Sequence, residues 1–203
     1  FKLQEDGPFL DKNQQLAAPP LSSLRELEFA VSQIELQPDL DSPDYLKWLN
    51  MLISPGSSLG GARPKACVMG GDDLWLAKFP SRYDDYDIGA WEYLLYRMAV
   101  DAGIEMAPCR LQRFNSTHHT FLTQRFDRVG SLRRHFSSAM TQLGYYDGGA
   151  GASYLELAQF LIEQGANTQQ DLHQLWRRMV FNILVSNADD HLRNHGFLLS
   201  ENS

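Results

Sequence analysis

Two short apolar runs, Lys65-Ala66-Cys67-Val68-Met69 and Leu74-Trp75-Leu76-Ala77-Lys78-Phe79, flank Gly70-Gly71-Asp72-Asp73, and this pairing constrains the fold more than any other stretch. Glycine and aspartate at a tight turn between apolar runs signal a β-hairpin, because glycine reaches left-handed backbone angles without steric cost. A second strand pair is expected at about 109–114 and 119–125, around a turn at Asn115. Between the two pairs the apolar spacing becomes helical, from about Asp87 to Gly103, its C′ glycine. Upstream, Ser23-Leu24-Arg25-Glu26 has the form of a capping box, after which Leu24, Leu27, Val31 and Ile34 recur at helical spacing. A further helix is expected from Ser42-Pro43, carrying Leu46, Leu49 and Ile53 and ended by Pro55-Gly56. Residues 136–143, 153–164 and 168–186 read as helices, and residues 1–20, polar and Pro-containing, as a tail or the end of something larger. β-rich material with one long helix is thus followed by mostly helical material, an α+β pattern.

Composition bounds the function. A length of 203 residues with 43% hydrophobic content can bury a sizeable core in one domain or in two lobes. A net charge of −7 argues against direct nucleic-acid binding, which needs a basic surface to neutralise phosphates. No apolar run approaches the roughly 20 residues of a membrane span. The chain opens Phe1-Lys2-Leu3 without an initiator Met and shows no secretory signal. Its cysteines, Cys67 and Cys109, sit beside strand-like residues and read as buried, reduced thiols of a cytoplasmic protein. Asn115-Ser116-Thr117 fits a glycosylation acceptor formally but reads here as a hairpin turn, with His118-His119 at its tip and no acidic or Cys ligands nearby to make a metal site.

The stretch richest in chemistry is Asn187-Ala188-Asp189-Asp190-His191-Leu192-Arg193-Asn194, between a long helical pattern and the apolar run Gly196-Phe197-Leu198-Leu199. A carboxylate at Asp189 is followed five residues later by a carboxamide at Asn194. Protein kinases use that spacing in their catalytic loop, where the Asp accepts a hydroxyl proton and the Asn binds magnesium. Loops are also rich in Asp and Asn for turn reasons alone, and His191 lies two residues after the Asp rather than before it.

Taken with its neighbours, Asn187 to Phe197 resembles the catalytic loop of the HipA family of bacterial serine/threonine kinases, the toxin members of toxin–antitoxin pairs. Matches upstream occur in that family's order. Ser57-Ser58-Leu59-Gly60-Gly61-Ala62-Arg63-Pro64-Lys65 resembles its nucleotide loop, Leu76-Ala77-Lys78-Phe79-Pro80 its ATP-lysine strand, Trp91-Glu92-Tyr93 the opening of its lysine-pairing helix, and Gln124-Arg125-Phe126-Asp127-Arg128 its hinge. The resemblance implies a two-lobed kinase-like fold: an N-terminal tail and helical segment over 1–55, a small lobe over 56–128 and the start of a helical large lobe over 129–203. It implies ATP and Mg2+ as cofactors, Asp189 as the catalytic residue and Asn194 as a metal ligand. Gly60, Gly61, Ala62, Lys65, Lys78, Glu92, Gln124, Arg125, Phe126, His191 and Asn194 would bind nucleotide or shape its site. Ser58, with Ser57 as a second candidate, matches the nucleotide-loop serine that these kinases autophosphorylate. The implied partners are a protein substrate such as an aminoacyl-tRNA synthetase and a HipB-like DNA-binding antitoxin.

Each site also has a plainer reading. Adjacent glycines let backbone N–H groups approach phosphate oxygens, but Gly60-Gly61 also serves as an ordinary turn. Lys78 sits inside an apolar strand pattern, so its charge needs a partner, and Glu92 is the natural one, whether as a lobe-stabilising salt bridge or as a phosphate anchor. Gln124-Arg125-Phe126 would offer main-chain groups to adenine, whereas Asp127 and Arg128 read better as a charged interlobe clamp. His191 orients the loop rather than acting as a base, and Asp190 reads as a solvated or capping carboxylate. A phosphoserine at Ser58 would place negative charge where ATP phosphates sit and so compete with nucleotide.

One departure stands out. The family's second metal-binding Asp lies in a Pro-x-Tyr-Asp type segment after the Asn, and no such segment precedes Ser203. The sequence therefore reads as a fragment or a truncated product, poor at binding Mg-ATP by itself. Two further functions stay open: a small-molecule phosphotransferase with a kinase-like fold, disfavoured by Asp-x-His in place of His-x-Asp, and a non-catalytic kinase-like binding module.

Overall fold

The structure is a computed structural model and describes residues 18–36, 42–52, 63–130, 132–146 and 151–199. Ser57, Ser58, Gly60, Gly61 and Ala62 of the expected nucleotide loop lie outside the described residues, as do Ile53 and Pro55-Gly56. The chain divides into two compact units, Phe1–Tyr93 with Pro108–Arg125, and Leu94–Ala107 with Phe126–Ser203.

The first unit is built on an antiparallel sheet of β1 (Lys65–Gly70), β2 (Asp73–Lys78), β3 (Cys109–Gln112) and β4 (Thr120–Gln124), in the order β1-β2-β4-β3. The expected hairpin forms with Gly70 opposite Asp73 and Gly71 at φ 69°. Side chains alternate across a pleated strand, and the register converts that alternation into two chemically different faces. Val68 opposes Trp75, and Ala66, Ala77 and Leu122 line up across β1, β2 and β4. The helix α1 (Leu24–Leu36) lays Leu24, Leu27 and Val31 on that face, and together with Phe79 these residues form the core. On the other face Lys65 opposes Lys78, which opposes Phe121.

The start of α1 differs from expectation. A 3-10 turn over Leu21–Ser23 precedes it, and Ser23 N–H donates to the Pro20 carbonyl at 2.9 Å, so Ser23 lies inside a turn instead of capping the helix from outside. Pro19 and Pro20 are not tail either: the Pro19 carbonyl takes the Met69 N–H at 2.7 Å, which ties them to β1. Helix α1 therefore belongs to the sheet-bearing unit and shares its core. It is also pinned at Glu28, 3% exposed, whose Oε1 accepts the Asn115 and Ser116 N–H groups at 2.8 and 2.9 Å, while Oε2 accepts the Thr120 hydroxyl at 2.8 Å. The helix α2 (Pro43–Leu52) begins at the expected proline and sets Trp48 edge-on to Phe29 at 6.5 Å.

The helix α3 (Ile88–Asp101) starts in the first unit and continues into the second. Gly103, at φ 74°, closes it as expected, with Ile104 N–H reaching back to the Ala99 carbonyl at 3.0 Å. In the second unit follow the short pair β5 (Arg128–Val129) and β6 (Leu132–Arg133), then β7 (Phe136–Ser138), α4 (Ala139–Gln142), α5 (Tyr154–Gln164), α6 (Thr168–Leu184) and β8 (Gly196–Leu198). The helix expected at 136–143 is only half correct. Its first residues pair antiparallel with β8, Phe136 opposite Leu198 and Ser138 opposite Gly196, and the helix begins after Ser138, whose hydroxyl accepts the Thr141 N–H at 3.2 Å. At the head of α5 the Glu156 carboxylate accepts the Ser153 N–H at 2.8 Å. Helix α6 stops short of 186 because Ser186 turns to φ 55°. Among the described residues no helix is long and apolar enough to cross a membrane. Both cysteines are reduced thiols outside any disulfide, as expected; Cys67 is buried, and burial pushes the half-buried Cys109 thiol above its ordinary pKa.

Candidate functional site

Lys78 closes β2 with its side chain on the face away from α1, where it forms an ion pair with Glu92, in the second turn of α3. The two side chains are 29% and 32% exposed, so neither charge is fully desolvated. The Lys78 ammonium also stands 5.5 Å from the centre of the Phe121 ring, an additional cation–π contact from the strand beside it. The cross-strand neighbour of Lys78 is Lys65. Burial lowers the Lys65 pKa, the Lys78 charge lowers it further, and Glu92 offsets part of the effect. Two ammonium groups facing one carboxylate leave a positive surplus on this face, the electrostatics that favour an anion. Just before Lys65 the chain is anchored: Arg63 grips Asp84 in a bidentate pair, Nη1 donating to Oδ2 at 3.1 Å and Nη2 to Oδ1 at 2.7 Å, and Phe79 N–H donates to the Pro64 carbonyl at 2.9 Å.

At the end of β4, Gln124 N–H donates to the Pro108 carbonyl at 2.9 Å and Arg125 N–H to the Leu74 carbonyl at 2.8 Å. Neither of these N–H groups is therefore open to a base, and a hinge contact through this segment would use carbonyls or Phe126. Phe126 is half exposed and packs edge-on against Phe136 at 5.5 Å. Asp127 and Arg128 pair with each other at 2.6 Å.

The loop after α6 holds the other candidates. Asp189 has a side chain 92% exposed, and its N–H is held by the Asn187 side chain at 3.2 Å. Asn194 donates its side-chain amide to the Asp189 carbonyl at 2.6 Å, and its N–H to the His191 carbonyl at 2.8 Å. The Asp189-to-Asn194 spacing thus closes a compact loop. The His191 ring lies 3.9 Å from the Asp189 carboxylate, too far for a hydrogen bond.

The residue that sequence reasoning misjudged is Asp190. It is not solvated: its side chain is 11% exposed and accepts hydrogen bonds from the Tyr154 hydroxyl and, at 2.8 Å, from the Asn182 amide, while His195 Nε2 lies 2.9 Å from its other oxygen. These partners belong to α5, α6 and the approach to β8. Burial, and then the hydrogen bond to Asp190, raise the Tyr154 pKa. Asp190 is the anchor of the loop, a role expected of His191. Its signal in the sequence was only its adjacency to Asp189.

The arrangement is a mixed α+β fold of the kind found in HipA proteins. It is similar to HipA of Shewanella oneidensis MR-1, whose structure is a complex with HipB and operator DNA, with a TM-score of 0.55 and 21% identity over 71% of this chain. The match covers 40% of that HipA chain, so the present chain spans less than half its length. Residues 57–203 match the HipA-like C-terminal domain, and the chain belongs to the HipA family. Comparison with curated proteins gives no match.

Proposed function

We propose that the parent protein is an ATP-dependent serine/threonine kinase of the HipA toxin type, with a two-lobed kinase-like fold. The observation that supports this reading most is the Lys78–Glu92 pair with Lys65 opposite, a cationic surplus on a sheet face. Phosphoryl transfer asks a protein mainly to position phosphates and neutralise their charge. Lys78 would hold the α- and β-phosphates while Glu92 fixes its ammonium, and Lys65 would add charge beside the nucleotide loop. Asp189 would take the proton of the attacking hydroxyl, whose oxygen forms the new bond to phosphorus as the bridging oxygen departs with ADP. Asn194 would contribute its carboxamide oxygen to magnesium, which supplies neutralisation of the charge on the transferring group. Ser58, or Ser57 beside it, would be the internal acceptor.

By analogy with the Shewanella complex, a HipB-like antitoxin would be the partner; the resemblance of the motifs to HipA kinases suggests a protein such as an aminoacyl-tRNA synthetase as the substrate class. The test is incubation of the full-length protein with labelled ATP and magnesium, wild type beside Asp189→Ala and Lys78→Met. Label on the nucleotide-loop serines in wild type alone is the expected result. Nucleotide binding without any labelling, with protein acceptors present, would favour a small-molecule phosphotransferase; absence of both would favour a non-catalytic module.

A further inference from the structure

Helix α3 carries Glu92, yet apolar burial does little to hold its opening turns. From Ile88 to Tyr93 only Gly89 is fully buried, and Trp91 is 55% exposed. What fixes this end of the helix is polar and steric. Asp87 is its N-cap: Oδ1 accepts the Ala90 N–H at 3.0 Å, satisfying a helix-end donor. The same oxygen accepts the His119 N–H at 3.0 Å, and Oδ2 lies 2.5 Å from His119 Nδ1. A cap needs only one acceptor, so the bonds to His119 are additional and tie the helix start to the residue that leads into β4. Gly89 reports the same closeness independently. A Cβ built there would lie 2.2 Å from the His119 carbonyl oxygen, a backbone atom that cannot swing aside.

The location of this clasp gives it a consequence. His119 is two residues before Phe121, the cross-strand partner of Lys78, and Asp87 is five residues before Glu92. At about 1.5 Å per helical residue and about 3.4 Å per strand residue, the clasp lies within about 8 Å of Glu92 along the helix and of Phe121, the strand neighbour of Lys78, along β4. We infer that Asp87, His119 and Gly89 form a positioning clasp that sets the first turn of α3 against β4 and so holds Glu92 on Lys78. Its consequence for catalysis rests on the kinase reading above; its consequence for the ion pair does not.

The test reads Lys78 directly, in the full-length protein, by the rate at which an amine-reactive acyl reagent labels it under native conditions, resolved by mass spectrometry. The variants are Asp87→Ala, His119→Ala and Gly89→Ala, with His119→Gln as the conservative change that keeps a side-chain donor. Labelling of Lys78 should rise about fivefold in the first three, the scale a part-exposed ion pair supports, and should stay near wild type in His119→Gln. Each variant is assayed well below its own unfolding midpoint. Should Gly89→Ala fail to fold, Asp87→Ala and His119→Ala still decide the matter. Unchanged Lys78 labelling in folded Asp87→Ala and His119→Ala would overturn the inference and reduce the contact to ordinary helix capping. Mg-ATP added to wild type gives a separate arm: protection of Lys78 supports the kinase reading, and its absence counts against that reading while leaving the clasp standing.

Discussion

Glu28 offers the sharpest test of how the sheet-bearing unit is held together. The carboxylate is 3% exposed and receives three hydrogen bonds, all from neutral donors: the Asn115 and Ser116 N–H groups on Oε1 and the Thr120 hydroxyl on Oε2. Glu28→Ala removes the acceptor from all three at once. Each buried donor left unmade costs about 1–3 kcal/mol, and partial access of water to the exposed turn residues moderates the sum, so the expected loss is about 3–5 kcal/mol. Glu28→Gln should behave differently for a geometric reason. The backbone N–H groups can only donate, so the amide oxygen must occupy the Oε1 position, which places the amide nitrogen at Oε2. There it meets the Thr120 hydroxyl, which can rotate and accept. Only the charge-assisted part of the interaction is lost, about 1–2 kcal/mol. Urea denaturation followed by tryptophan fluorescence, with Trp75 in the core as reporter, measures both. A Glu28→Gln loss equal to that of Glu28→Ala, or a Glu28→Ala loss under about 1 kcal/mol, would refute this account of the turn as an acceptor-starved pocket that Glu28 fills.

Other perturbations separate holding the structure from doing the chemistry. Asp190→Ala strips the acceptor from Tyr154, Asn182 and His195; amide exchange over 187–195 should accelerate and phosphorylation fall at least about tenfold, whereas Asp189→Ala should abolish phosphorylation with the unfolding midpoint unchanged. Lys65→Met removes a charge that burial and Lys78 disfavour, so the unfolding midpoint should hold or rise while nucleotide affinity falls, as a thermal-shift titration with ATP would show. Burial pushes the Asp87 carboxyl upward, but the hydrogen bonds from His119 and Ala90 outweigh it and leave the folded pKa below the ordinary one. A depressed folded pKa means stabilisation that is present above the unfolded pKa and lost as pH falls through the folded one. Unfolding free energy should therefore decline on the acid side of the carboxylate range, and Asp87→Asn should flatten that decline in pH-dependent denaturation.

Much of the architecture was legible because its signals are local. The β1–β2 hairpin needs only a glycine free to take φ 69° between two runs that alternate, and both are visible in consecutive residues. Leu24, Leu27 and Val31 repeat at helical spacing whatever lies above them, and they entered the core as that spacing demands. The ion pair was equally legible, since a lysine in an apolar strand pattern calls for a carboxylate and Glu92 lies on the next helix. Elsewhere local signals misled. Phe136–Ser138 carries too few residues to display a strand period, and its partner Gly196–Leu198 is remote in the chain. Ser23 had the residues of a capping box, but the bond from Met69 to Pro19 starts the helical path a turn earlier.

The sequence by itself, then, determined the secondary-structure order, the chemical identity of the candidate site and membership of the HipA family, because periodicity, turn chemistry and short motifs are properties of neighbouring residues. Tertiary structure alone decided which carboxylate faces water. Asp189 and Asp190 are adjacent and chemically identical, and only the placement of Tyr154, Asn182 and His195 around one of them leaves the other exposed. The same holds for Asp87 and His119, whose meeting depends on how a helix start and a strand start are brought together, a distance in space that no spacing along the chain encodes.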